Sequence, residues 1–136
     1  MNTYNVNDIN FVNSNLYQNY LKDNPSKGYL KIRAYAANEA IPIKGLRVIV
    51  SKIIDDNNVI FFDGVTNDSG VIEKITLPTP KSFENDLVVP TSTIYDINTI
   101  YEPDKLRGKY QVSMFENVYV VQTIGIVPKM NRIGGI

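Results

Sequence analysis

The chain has 136 residues, enough for one domain with a modest core, and its 43% hydrophobic content excludes wholesale disorder. Fourteen basic residues balance 14 acidic ones, so the charge excess that marks a nucleic-acid binder is missing. There is no cysteine and no histidine, which removes disulfides, thiolate chemistry, and the commonest general base and metal ligand.

Residues 1–27 differ from the rest. They are rich in asparagine and interspersed with aromatics. Ile9, Val12, Leu16 and Tyr20 recur at spacings of three and four, which predicts one short amphipathic helix. Asn13 or Ser14 would cap a shorter version. Asp23-Asn24-Pro25-Ser26 ends it, because the residue before a proline disfavours the helical region. The segment reads either as an arm packed on its own domain or as one that docks on a neighbouring subunit. Met1-Asn2-Thr3-Tyr4-Asn5 lacks the basic and apolar regions of a secretory signal. No stretch nears the roughly 18 apolar residues of a membrane span. The expectation is a soluble chain made in the cytoplasm, leaving it by lysis or within an assembly, with no membrane partner.

From Gly28 the period changes to two. Leu30, Ile32, Ala34 and Ala36 point one way, and Tyr29, Lys31, Arg33 and Tyr35 the other, as in a half-buried strand running to Ala37. Lys27, Lys31 and Arg33 lie close together, but three charges beside a strand make a solvated face and no nucleic-acid footprint. Ile41-Pro42-Ile43 reads as an edge crossing, because proline cannot donate to a ladder. Lys44-Gly45 turns the chain into a strand over Leu46 to Ile54 that is apolar on both faces.

Asp55-Asp56-Asn57-Asn58 is a loop of turn formers, and Val59 to Phe62 the return strand. Asn67-Asp68-Ser69-Gly70 is a tight turn before a strand from Val71 to Leu77 that Pro78-Thr79-Pro80 stops. Residues 79–92 form the longest non-periodic segment, and such loops are often contact surfaces. Thr93 to Tyr101 is a strand, and Glu102 to Gly108 a polar turn. Gly108 to Phe115 is expected to pair through Glu116-Asn117 with Val118 to Ile124. Residues 129–136 are a tail. About seven strands at roughly ten-residue spacing predict an all-β, Greek-key β-sandwich with a short N-terminal helix or arm. The domain would span 28–128.

Five of these segments carry a resemblance. They are Gly28 to Leu30, Ala40 to Gly45, Thr66 to Gly70, Leu77 to Pro80 and Ile126 to Pro128. Together they resemble the transthyretin-like, carboxypeptidase-regulatory-like module of clostridial and related Gram-positive proteins, over roughly residues 28–128. Asn67 replaces the usual aspartate, and Asp68 follows one place later. The resemblance implies a transthyretin-like sandwich serving as a non-catalytic interaction module. Its settings would be phage tails or phage-like particles, or spore cortex-lytic and cell-wall proteins. One relative of that fold, the 5-hydroxyisourate hydrolase, needs histidines and a C-terminal Tyr-Arg-Gly-Ser motif. This chain has no histidine, and Leu106-Arg107-Gly108-Lys109 is a different signature in a different place.

Other chemistry is discounted on the residues. Asp55, Asp56, Asp63 and Asp68 sit at predicted loop ends, where turn formation accounts for them, and their spacing matches no EF-hand loop. Glu73, Glu84, Glu102 and Glu116 lie on different elements and suggest no paired acid and base. Neither metal nor cofactor is called for, and the chain reads as no enzyme. Nine tyrosines are many for this length, and tyrosine is enriched at interfaces. Tyr29 and Tyr35 share one strand face, where they would contact glycan or protein, or pack beneath the N-terminal arm.

The expected function is therefore structural, as a tail, baseplate or capsid-decorating subunit of a phage or phage-like particle. Such a subunit would pair with copies of itself and with other proteins. Its contacts would be Phe11, Leu16, Tyr17 and Tyr20 on the arm, Phe83, Leu87 and Val88 on the long loop, and Met130, Ile133 and Ile136 on the tail. The alternative is a cell-wall or spore-cortex module holding peptidoglycan glycan or a lytic enzyme.

Overall fold

The computed structural model describes residues 1–36, 40–82 and 91–127. Among them the chain forms a short strand β1 (Thr3–Asn5), two helices α1 (Ile9–Val12) and α2 (Asn15–Asp23), and then eight further strands. These are β2 (Ser26–Ala36), β3 (Ile41–Pro42), β4 (Arg47–Ile54), β5 (Asn57–Val65), β6 (Val71–Thr79), β7 (Ser92–Tyr101), β8 (Leu106–Phe115) and β9 (Tyr119–Gly125). The strands build two sheets. One runs β1-β5-β4-β7-β8; in the other, β2 pairs with β3, β6 and β9. The fold is thus an all-β, sandwich-like pair of sheets, with nine strands among the described residues against the seven expected. The two extra strands, β1 and β3, are too short to show a period of two.

The core lies between the sheets. Leu30, Ile32, Ala34 and Ala36 of β2 are all buried, as the alternation predicts. They meet Val48 and Val50 of β4, Tyr95 and Ile97 of β7, and Val112 and Met114 of β8 in one apolar cluster. Burial at this scale supplies about 25 cal/mol for each Å² of apolar surface removed from water.

The N-terminal helix is interrupted. Ser14 is the N-cap of α2: its hydroxyl accepts from the Tyr17 amide at 3.3 Å and donates to the Phe11 carbonyl at 2.6 Å. That local bonding splits the expected single helix in two and leaves Ile9 exposed. Asn24 ends α2 as predicted, its amide bonding the Tyr20 carbonyl.

Turn chemistry sets the hairpins. Asp55 and Asp56 both take positive φ, so β4 returns through a two-residue turn, and Asn57 and Asn58 belong to β5. Asn67 holds the next turn by accepting from the amides of Ser69 and Val71. Gly70 sits there at φ +75°, where an added Cβ would stand 2.5 Å from the Ala34 carbonyl oxygen. Buried Thr66 pins the Ile41–Leu46 crossing, donating to the Ile43 carbonyl and accepting from the Leu46 amide.

Two expectations about strand pairing are corrected. Pro78 lies inside β6 and does not end it. The Tyr29 amide bonds Val118, on the far side of β2 from β6, so Tyr29 and its partner Thr76 form a non-hydrogen-bonded pair. Pro78 is two residues on, shares that orientation, and costs the ladder no donor. The second correction concerns β8 and β9, which do not form a hairpin. Asn117, at φ +57°, donates its amide to the Lys27 carbonyl at 2.8 Å and carries the chain across to the other sheet. There β9 runs parallel to β2, with Tyr29 opposite Tyr119 and Tyr35 opposite Gly125.

Candidate interaction surface

The outer face of the β2 sheet carries a set of side chains held against one another. β2 contributes Tyr29, Lys31, Arg33 and Tyr35, because the inward positions are taken by core residues. The parallel register of β9 places Tyr119, Val121 and Thr123 beside them. Tyr29 and Tyr119 stack with ring centroids 4.6 Å apart and planes 24° from parallel. Lys74 reaches over the Tyr29 ring at 4.8 Å, and the Arg33 guanidinium over Tyr35 at 5.2 Å. A register shift between Leu30 and Ile32 brings Glu73 near Lys31, at 3.6 Å. The result is a row of aromatic faces edged by cations. Tyr119 is 66% exposed, and Val121 55%.

The N-terminal residues lie elsewhere. Tyr4 stacks on Phe11 at 4.8 Å, Phe11 meets Tyr17 at 5.3 Å, and Tyr17 and Tyr20 both meet Phe61. Phe61 ends the series with an edge contact to Tyr95 at 5.1 Å. Phe11, Tyr17 and Tyr20 are therefore buried in their own domain, and only Leu16 of the proposed arm contacts is partly exposed. The expectation that the first three offer a free contact surface is corrected. Their rings are held by the sheet that the arm would have to leave. The same placement corrects the idea that the arm covers Tyr29 and Tyr35. Phe83, Leu87, Val88, Met130, Ile133 and Ile136 lie outside the described residues.

A polar network stands behind the aromatic series. The Tyr20 hydroxyl donates to the Tyr95 hydroxyl at 2.8 Å, and Tyr95 donates to the Pro78 carbonyl at 2.5 Å. Thr93 donates to the Asn24 side-chain oxygen, and the Asn24 amide group returns to the Tyr20 carbonyl. Burial pushes the Tyr20 hydroxyl up to about 12 and Tyr95 still further. Both stay protonated and neutral at neutral pH, and their hydrogen bonds tie α2 to β6 and β7. Beside them opens a mainly apolar cleft of about 520 Å³, walled by Val6, Tyr17, Leu21, Phe61, Thr76 and Pro78.

Three of the acidic side chains have set partners. Arg47 grips Asp63 through two bonds of 2.9 and 2.7 Å, which holds that carboxyl below its ordinary range. Asp68 pairs with Lys44 at 2.8 Å. Glu116 accepts from the Ser26 hydroxyl and from the Ser82 amide. Among the described residues no three acidic side chains gather as metal ligands, and no helix is long and apolar enough to cross a membrane.

Sequence reasoning missed Tyr119 and Val121. Their place beside Tyr29 follows from a parallel pairing between strands far apart in sequence, and no local signal announces it. No protein-family model matches the chain, and no curated protein is similar to it in sequence.

Proposed function

We propose that this protein is a non-catalytic interaction subunit that assembles with other proteins, in the tail, baseplate or capsid decoration of a phage or phage-like particle. The observation that carries the reading is the ordered outer face of the β2 sheet. Rings and cations are already held there by one another, so little side-chain freedom remains to be lost on binding. Tyrosine-rich, pre-organised surfaces of this kind suit protein contact. The transthyretin-like resemblance supports the same setting. The test is mass spectrometry of purified phage-like particles from the source cells. The expected result is the chain at fixed stoichiometry; its absence from particles overturns the reading.

A second reading rests on the Tyr29–Tyr119 pair, whose exposed ring surface flanked by Lys74 also suits a sugar ring. A wall or cortex module would be retained on purified peptidoglycan. Retention that survives Tyr29→Ala with Tyr119→Ala, or no retention at low salt, removes this alternative.

A further inference from the structure

Among the described residues, the β2 sheet ends at β9 in an unpaired strand edge. The Tyr29 amide bonds the Val118 carbonyl, and the Ile126 amide bonds the Tyr35 carbonyl. In a parallel ladder that phase turns the even-numbered residues of β9 toward β2. The backbone N–H and C=O groups of Tyr119, Val121 and Thr123 therefore point outward. Among the described residues no strand pairs with them. The Thr123 carbonyl takes one bond from the side-chain Nε2 of the neighbouring Gln122 and keeps a second lone pair.

Native proteins blunt such edges with lysine, proline, bulges or brevity. Four other edge strands among the described residues show those devices. β8 carries exposed Arg107 and Lys109, β6 has Pro78, and β1 and β3 are only three and two residues long. β9 has none. From Val118 to Val127 the chain holds no charged residue and no proline, and Val118, Tyr119 and Val121 are all more than 40% exposed.

We infer that β9 is a homodimer edge: two copies pair antiparallel through β9 about a two-fold axis at Val121. The choice of a second copy rests on self-complementarity. A two-fold at Val121 sets Val121 against Val121 and Tyr119 against Thr123, so the outward donors of these three residues meet outward acceptors. About six main-chain hydrogen bonds form across the axis. Because the strand is uncharged, no like charges meet, whereas the same operation on β8 would bring copies of Arg107 and Lys109 together. Pairing also makes one continuous sheet of the two β2 sheets and doubles the row of tyrosines on its outer face. The dimer is a property of the isolated chain and holds whether or not the particle setting does.

Sedimentation of the purified protein from low to high micromolar concentration tests this, with hydrogen exchange on the same samples. The expected result is a shift from the 15.4 kDa chain to twice that mass. The Tyr119, Val121 and Thr123 amides should gain protection over the same range. Val121→Lys, at an exposed side chain, should stay monomeric with an unchanged circular dichroism melt. Thr123→Lys serves as the second variant. A chain that remains monomeric throughout overturns the inference. So does a dimer that tolerates both lysines. Protection that does not vary with concentration also overturns it, since the edge would then be covered from within one chain.

Discussion

Tyr95, on β7, ties together α2, β5 and β6. Its ring receives Phe61 edge-on, and its hydroxyl links Tyr20 to the Pro78 carbonyl. Tyr95→Phe leaves the ring and strips the link, so the buried Tyr20 hydroxyl and the partly buried Pro78 carbonyl lose a partner. The expected loss is about 1–3 kcal/mol of unfolding free energy, read by urea denaturation. The same network predicts an alkaline limit. In the folded state Tyr20 titrates at about 12 against an ordinary 10.0, and Tyr95 is raised further. Each holds its proton more tightly folded than unfolded. Their stabilisation is complete below pH 10 and is lost as pH rises toward the folded values. Stability should fall by about 1.4 kcal/mol per pH unit for each tyrosine above that point. Denaturant midpoints between pH 8 and pH 12 check this, and Tyr20→Phe should flatten the slope. Gly70 is a different kind of constraint. Its φ of +75° and the Ala34 oxygen at 2.5 Å leave no room for a methyl group. Gly70→Ala should cost at least about 1–3 kcal/mol, seen as a lowered thermal midpoint.

At the scale of elements, the N-terminal helices are part of the core. Three buried aromatics, Phe11, Tyr17 and Tyr20, each contribute about 1.5–3 kcal/mol by burial. A domain of this kind holds only about 5–15 kcal/mol in total. Deleting residues 1–20 should therefore leave a chain without cooperative unfolding, and circular dichroism with a thermal melt decides it. The sequence reading placed the domain at 28–128 with residues 1–27 as an arm, whereas Phe11, Tyr17 and Tyr20 belong to the buried core, and the reason is physical. Helical spacing at Ile9, Val12, Leu16 and Tyr20 shows that one face is apolar, but it says nothing of which surface that face meets. The cap at Ser14 and the stop at Asn24-Pro25 were legible, because both are contacts within a few residues. The crossing from β8 to β9 was not. Glu116-Asn117 reads as a hairpin turn, and the same left-handed Asn117 serves a change of sheet when its amide is claimed by Lys27.

For the whole molecule, the pairings are mostly between distant parts of the chain. The central strand β2 meets β9 from the far end of the described chain, and β1 pairs in parallel with β5. Closing such loops costs entropy before any contact offsets it. Folding should accordingly take milliseconds to seconds, where a helical bundle of equal size takes far less, and stopped-flow fluorescence of the tyrosines would time it. The arrangement also decides where the surface is open. One end of the sandwich is closed by the helices, and the other ends in β8 and β9.

What the sequence by itself determined is local. The alternation from Gly28 to Ala36, the turns at Asp55-Asp56 and Asn67 to Gly70, the crossing at Pro42 and the all-β class follow from side-chain period and backbone preference. Both act over a few residues, so a single strand of text contains them. The tertiary structure alone decided that the first helices seal the core and that Pro78 sits harmlessly within β6. It also decided that Tyr119 joins Tyr29 on one face and that β9 lies at an open edge. Each of these depends on which partner a strand or helix finds. Partner choice is a matter of shape and hydrogen-bond phase between segments as far apart as Tyr29 and Tyr119, which stand ninety residues from each other.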